Sequence, residues 1–82
     1  MMLIEYDPEA DAIFASFRHI NPGEDRGATV LDDCRMIHYD AANEVIGVEF
    51  LGVSEGIDLT DVPRADEIAA ALRAFPQVQP AA

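Results

Sequence analysis

The sequence has no lysine, no tryptophan and only one cysteine, and it is short of positive charge in general. The chain contains five arginines and 16 acidic residues, which gives a formal net charge of −11. Nucleic acids and anionic membranes are bound by clustered lysine and arginine side chains, so the sequence predicts neither as a partner. A basic protein is a candidate partner, and the simpler interpretation is that the charge only keeps the chain in solution.

A lone cysteine cannot form a disulfide within the chain, so Cys34 fits a reducing compartment. The first residues contain no basic segment and reach Glu5 and Asp7 at once, which is unlike a signal peptide. No apolar run approaches the ~20 residues that a membrane span requires. We therefore expect a cytoplasmic protein.

The length of 82 residues predicts a single domain over the whole chain. A chain of this size buries only about 60 per cent of its unfolded surface, which leaves no room for a second core. Hydrophobic residues make up 50% of the sequence, and this argues against disorder. Because small domains with a thin core often gain stability by association, the composition favours an oligomer.

One pattern of strand, acidic turn and strand occurs twice, at a separation of 33 residues. In residues 4–17 and 37–50 apolar side chains alternate with others, and a period of two is typical of β-strands. The residues shared by the two copies are Ile4 and Ile37, Tyr6 and Tyr39, Asp7 and Asp40, Ile13 and Ile46, and Phe17 and Phe50. Two similar β-hairpins are therefore predicted.

The two predicted turns differ at one position. Asp7 and Pro8 open the first turn, where aspartate accepts a backbone hydrogen bond and proline presets φ. Asn43 occupies a place in the second turn that usually needs a left-handed backbone, which asparagine tolerates. Ala10 stands at the equivalent place in the first turn and does not tolerate it well, so we expect the turns to differ in detail.

The remaining segments complete the predicted fold. Residues 28–31 are expected to add a short fifth strand, and cap-type residues followed by an amphipathic pattern predict a helix over about 61–75. Residues 76–82 are predicted to form a flexible tail. The predicted fold class is α+β: an antiparallel β-meander of four to five strands over about 2–53, with one C-terminal helix.

Both faces of the predicted sheet are at least half apolar, although one helix can cover only one face. The residues predicted on the more apolar face are Ile4, Tyr6, Ile13, Ala15, Phe17, Ile37, Tyr39, Ile46, Val48 and Phe50. A homodimer is therefore expected, formed by the second face or by paired sheet edges. Gly47 lies in mid-strand and is expected to leave space for Phe14, for Tyr39 or for the close approach of a partner backbone.

No catalytic, cofactor or metal site is predicted. Residues 7–11 begin like a calcium-binding loop, but Ala12 and Arg18 stand where that loop needs glycine and glutamate. Cys34 and His38 could face the same side of a strand, yet zinc takes three or four protein ligands and the sequence offers only one further histidine. A buried cysteine and a half-exposed histidine are the simpler interpretation.

The pairs Tyr6-Asp7 and Tyr39-Asp40 stand where the strands meet the turns. In one interpretation they line a shared ligand site near the symmetry axis of the repeat. In the other, the rings pack on the sheet and the carboxylates form the turns. The candidate ligand or partner contacts are Tyr6, Asp7, Asp11, His38, Tyr39 and Asp40.

The two hairpins carry ordered motifs. These are Tyr6-Asp7-Pro8-Glu9-Ala10-Asp11-Ala12-Ile13-Phe14, and His38-Tyr39-Asp40 followed by Val45-Ile46-Gly47-Val48-Glu49-Phe50-Leu51. Over residues 3–53 the chain resembles a bacterial family known as domain of unknown function 2283. It departs from that pattern at His38, where the family often has aspartate, and at Asn43, where it often has glycine. The resemblance implies a compact β-meander and brings no catalytic residue with it.

The sequence thus favours a non-enzymatic protein–protein interaction module, such as the acidic partner in a two-protein regulatory or toxin–antidote pair. This prediction depends on a charge of −11 carried by a compact scaffold in which no reaction centre is recognisable. The alternative is a small-molecule or metal-binding protein, or a weak enzyme, that uses the Tyr-Asp corners.

Overall fold

The computed structural model describes residues 2–80, which form a five-stranded antiparallel sheet and one short C-terminal helix. The elements are β1 (Leu3–Asp7), β2 (Ala12–Ser16), β3 (Gly27–Asp32), β4 (Arg35–Tyr39), β5 (Val45–Leu51), a 3₁₀ turn (Val53–Glu55) and α1 (Ala65–Ala71), which continues as a 3₁₀ turn (Leu72–Ala74). The predicted α+β class is confirmed, including the fifth strand. Among residues 2–80, no helix is long and apolar enough to cross a membrane.

The strands lie in the order β1-β2-β5-β4-β3, and every neighbouring pair is antiparallel. This order differs from a plain meander, because β2 pairs with β5 rather than with β3. Residues 17–26 carry the chain from the middle of the sheet to its far edge. The arrangement places the two strands with the most buried residues at the centre, where both neighbours shield them.

The sequence repeat gives the sheet an approximate twofold axis. Ala15 and Val48, which are equivalent positions of the repeat, lie opposite each other in β2 and β5. Ile13 lies opposite Phe50, and the Phe17 N–H donates to the Ile46 carbonyl at 2.8 Å. Because these pairs exchange under the repeat, the axis passes through the Ala15–Val48 pair. The two hairpin turns consequently lie at opposite ends of the sheet.

The C-terminal third of the chain covers one face of the sheet and forms the core with it. From the sheet, the buried core residues are Ile13, Ala15, Phe17, Ile37, Val48 and Phe50. From the covering segment they are Val53, Ile57, Val62, Ile68, Leu72 and Val78. All six sheet residues belong to the face predicted to be the more apolar one.

The helix is shorter than the sequence predicted, because it begins at Ala65. Arg64 has a left-handed backbone with φ of 55°, so the right-handed helix cannot extend through it to the preceding residues. Its guanidinium lies 4.5 Å from the centroid of the Phe17 ring, and it pairs with Glu67. These contacts hold the chain in a turn directly before the helix.

The segment predicted to be a flexible tail packs against the rest of the domain as far as Pro80. Val78 is only 1% exposed and belongs to the core. The Gln79 side-chain amide donates to the carbonyls of Leu72 at 2.9 Å and Phe75 at 2.6 Å. Because the last carbonyls of a helix need partners, this contact fastens the segment to the helix end. The last two residues of the predicted tail lie outside the described part.

Candidate functional site

The sheet face opposite the core, called the open face here, has no layer of secondary structure over it within residues 2–80. The strand register arranges its residues in three rows: Glu5, Phe14, Glu49, Met36 and Val30 in the first, Leu3, Ser16, Gly47, His38 and Ala28 in the second, and Asp7, Ala12 and Leu51 in the third. The first row is half-buried or exposed throughout, whereas core-face residues of β2 and β5 are buried. The first row of the open face is therefore accessible to an external partner.

Phe14 lies at the centre of the open face, over the space left by a glycine. A Cβ placed on Gly47 would lie 2.5 Å from Phe14 Cε1, so only glycine fits beneath the ring. This confirms the prediction that Gly47 makes room for Phe14. The ring consequently lies over Gly47, and Phe14 is half-buried.

Two carboxylates flank the Phe14 ring on neighbouring strands. Glu5 lies opposite Phe14 from β1, and Glu49 lies opposite it from β5. Together with Asp7 they line a shallow groove of about 200 Å³. An aromatic ring between acidic side chains is an arrangement that suits a cationic group, because the ring face and the carboxylates attract positive charge together.

His38 connects the open face to the loop that precedes β3. Its Nδ1 lies 2.7 Å from Asp25 Oδ2 and its Nε2 lies 2.9 Å from Glu49 Oε1. Each ring nitrogen thus lies within hydrogen-bond distance of a carboxylate oxygen. The ring also meets the Phe14 ring edge-on, with centroids 4.9 Å apart. His38 thus fixes Glu49 and the loop beside the aromatic centre.

The carboxylates of the two Tyr-Asp corners stabilise the turns. Asp7 accepts a hydrogen bond from the Ala10 N–H at 3.2 Å. Asp40 accepts from the N–H groups of Glu44 at 3.0 Å and Ala42 at 2.9 Å. The Glu44 N–H, then the Ala42 N–H and an ion pair with Arg18, hold the pKa of Asp40 below its usual range.

Asp11 joins the first hairpin to the covering segment. Its carboxylate accepts hydrogen bonds from the Ser54 N–H at 2.9 Å and the Ser54 hydroxyl at 2.7 Å. Asp11 is also the left-handed residue of its turn, with φ of 52°, whereas Asn43 is left-handed in the second turn. The turns differ as predicted: the left-handed position is displaced by one residue, which spares Ala10.

The two corners do not form a shared site. Asp7 lies opposite Ala12, whereas Asp40 pairs with Arg18. Ala12 and Arg18 are six residues apart, and an extended chain advances ~3.3 Å per residue, so the two carboxylates are about 20 Å apart. The Tyr6 ring packs edge-on against Phe75 on the core side, with centroids 6.2 Å apart. Of the six residues singled out from sequence, His38 lies on the open face and Asp7 lines the groove at its end, while the other four lie elsewhere.

In the described part of the chain, side chains of the metal-binding types do not converge. Within residues 2–80 no group of three or more His, Cys, Asp or Glu side chains has a geometry that could hold a metal ion. Cys34 lies exposed in the turn after β3, where its N–H donates to Asp32 Oδ1 at 2.9 Å. Both nitrogens of His38 bond carboxylates, which leaves neither of them for Cys34.

Sequence reasoning did not single out Glu5, Glu49 or Asp25 as site residues. The alternation places Glu5 and Glu49 on the less apolar face, but their position on either side of Phe14 depends on the pairing of β2 with β5. That pairing joins segments that are distant in sequence. A two-residue alternation therefore identifies the face and leaves the neighbours across it undetermined.

The fold and the open face define a class, a small α+β domain with one uncovered sheet face that carries an aromatic centre between carboxylates. Residues 3–54, more than half of the chain, match the model of a family described as a protein of unknown function (DUF2283), and the chain belongs to that family. The match confirms the resemblance seen in the two hairpin motifs. No curated protein and no solved structure shows significant similarity to the chain.

Proposed function

We propose that the chain is a non-enzymatic protein–protein interaction module that binds a basic partner on its open face. The observation that supports this most is the Phe14 ring, which is held on an uncovered sheet face between Glu5 and Glu49. Aromatic residues at the centre of a surface patch are the usual anchors of protein interfaces.

The chemistry of the patch specifies the partner's contacting residue. An arginine or lysine of the partner would place its charge over the accessible side of the Phe14 ring and pair with the flanking carboxylates. Cation–π attraction contributes about 0.5–2 kcal/mol depending on how far the pair is desolvated. Charge-assisted hydrogen bonds add to it, and arginine is enriched at such positions in interfaces.

The charge of the whole chain supports the same choice of partner. A formal net charge of −11 attracts a basic protein at long range and repels acidic ones, which raises the association rate and the selectivity together. In a two-protein regulatory or toxin–antidote pair, this chain would be the acidic member. The binding should weaken as salt screens the charges.

The experiment is a quantitative pull-down from the native host at low salt with two matched variants. The face variant combines Glu5→Lys with Glu49→Gln. The control combines Glu9→Lys with Glu44→Gln, which changes the net charge equally but alters the hairpin turns. We expect a basic protein to be recovered with the wild type and the control and to be lost with the face variant.

Three outcomes of the pull-down would refute the proposal. The wild type could recover only itself at low salt. The same protein could bind all three forms equally, which would place its contact elsewhere. Binding could also be lost equally from the face variant and the control, which would reduce the interaction to a diffuse effect of charge. Circular dichroism of both variants checks that the sheet is intact.

A further inference from the structure

The strand β3 forms an edge of the sheet and is exposed along most of its length. It pairs only with β4, so half of its backbone N–H and C=O groups point away from the sheet. The first four residues of β3 are all exposed, and Val30 is 65% exposed. The side-chain layer and the backbone of this edge are therefore both accessible.

The two sheet edges differ in their protection against pairing. Natural edge strands carry charges or prolines, or are covered, so that other chains do not add to them. The opposite edge, β1, carries Glu5 and Asp7. In contrast, β3 has no charge and no proline before its last residue, Asp32, and it contains the β-branched Thr29 and Val30, which favour strand pairing.

We propose that a second copy of this chain pairs with β3 in antiparallel orientation, so that the two sheets join into one. A twofold axis places the same strand of both copies side by side and antiparallel, which makes the edge complementary to itself. The basic partner proposed for the open face is a poor occupant of this edge, since residues 27–31 offer it no carboxylate. For two copies that each carry a charge of −11, a neutral strand is the part of the surface where repulsion is least.

The regular part of β3 fits an axis that passes through Thr29. In this register Val30 of each copy lies opposite Ala28 of the other. The regular part ends before Asp32, because the strand register shifts after Val30 and the Asp32 carboxylate pairs with Arg35 at 2.9 Å. The Thr29 side chains would meet at the axis, where a threonine pair is favourable.

A single strand pair makes a small interface. Specific, stable complexes bury at least about 1,200 Å² of total surface, and one strand pair is expected to bury less. The dimer should therefore be weak and form only at high protein concentration. This proposal does not depend on the basic partner, because it concerns the purified protein alone. It also uses a different part of the sheet, since β4 and β5 lie between β3 and the strand that carries Phe14.

The test is sedimentation velocity together with ¹H–¹⁵N NMR of the purified full chain from about 10 μM to about 1 mM. We expect the sedimentation coefficient to rise with concentration and the amide shifts of residues 27–31 to move, while those of β1 stay constant. A monomer throughout this range would overturn the proposal, and so would shifts confined to β1.

Three variants locate the contact. Val30→Asp should weaken the dimer at least about tenfold, whereas Leu3→Asp adds the same charge to the β1 edge and should have little effect. Thr29→Asp should also weaken the dimer, because two like charges would meet at the axis. Equal effects of Val30→Asp and Leu3→Asp would overturn the β3 edge, and a dimer unchanged by Thr29→Asp would overturn the Thr29 register. Thr29 is exposed, so its variant tests the proposal even if Val30→Asp disturbs folding.

Discussion

Replacing Gly47 by alanine should destabilise the domain out of proportion to the single methyl group added. The new Cβ would lie 2.5 Å from Phe14 Cε1 and 2.9 Å from the Ala15 carbonyl oxygen. The ring can turn aside, but the carbonyl belongs to the neighbouring central strand and cannot retreat without disturbing the β2–β5 ladder. Overpacking of this kind costs about 1–3 kcal/mol. In a domain of this size the melting temperature should fall by at least about 4 °C.

The matched control is Gly27→Ala, in an edge strand where a Cβ would meet no atom within 4 Å. Its free energy of unfolding should stay within about 0.5 kcal/mol of the wild type. Urea unfolding followed by circular dichroism, at a low protein concentration, measures both variants. The same measurement on Phe14→Ala and on Phe14→Ala with Gly47→Ala gives the coupling between the two sites, expected at about 0.5–3 kcal/mol. If Gly47→Ala were as stable as Gly27→Ala, or if the two sites did not couple, the placement of Phe14 over Gly47 would be refuted.

Three further predictions concern the turns and the C-terminal segment. Asp11→Ala should cost about 1 kcal/mol more than Asp11→Asn in urea unfolding, because asparagine keeps a left-handed backbone and one acceptor for Ser54; equal costs would contradict this. Val78→Ala should cost about 2 kcal/mol, whereas a flexible tail would tolerate it without loss. A hydrogen bond from the Glu44 N–H lowers the folded-state pKa of Asp40, and one from the Asn21 N–H lowers that of Glu24. The stability that these two carboxylates contribute is therefore complete above their unfolded pKa of about 4, and it is lost as the pH falls through the lower folded-state pKa. Asp40→Asn should therefore show a shallower loss of unfolding free energy from about pH 5 to pH 2 than the wild type, and an equal slope would contradict this.

The sheet faces and the local hairpins could be predicted because they depend on short-range signals. Alternation with a period of two placed Ile13 and Phe50 on one face, and the turn chemistry of Asp7 and Asn43 marked where the strands reverse. Gly47 was informative since a glycine in mid-strand needs a large neighbour to explain it. The faces and the turns depend only on residues within one hairpin, whereas the neighbour of Gly47 comes from the other hairpin.

The strand order could not be predicted, because the pairing of β2 with β5 joins segments 33 residues apart and leaves no local signal. The same limit explains the misplaced site. The Tyr-Asp corners look like one site when the repeat is read as a sequence, but the twofold axis sends them to opposite ends. The packing of Val78 was missed because one valine between two prolines has no periodicity to interpret. Arg64 precedes the helix in a left-handed conformation that its residue type does not suggest.

Photo-cross-linking in the native host tests the central claim, that the open face is the surface that binds a partner, most directly. A photoreactive amino acid would replace Leu3 on the open face in one form and Glu67 on the helix in another, both at exposed positions. We expect a covalent adduct with a basic protein from position 3, reduced at high salt, and none from position 67. Adducts from position 67 alone, equal adducts from both positions, or no adduct from position 3 would contradict the proposed function.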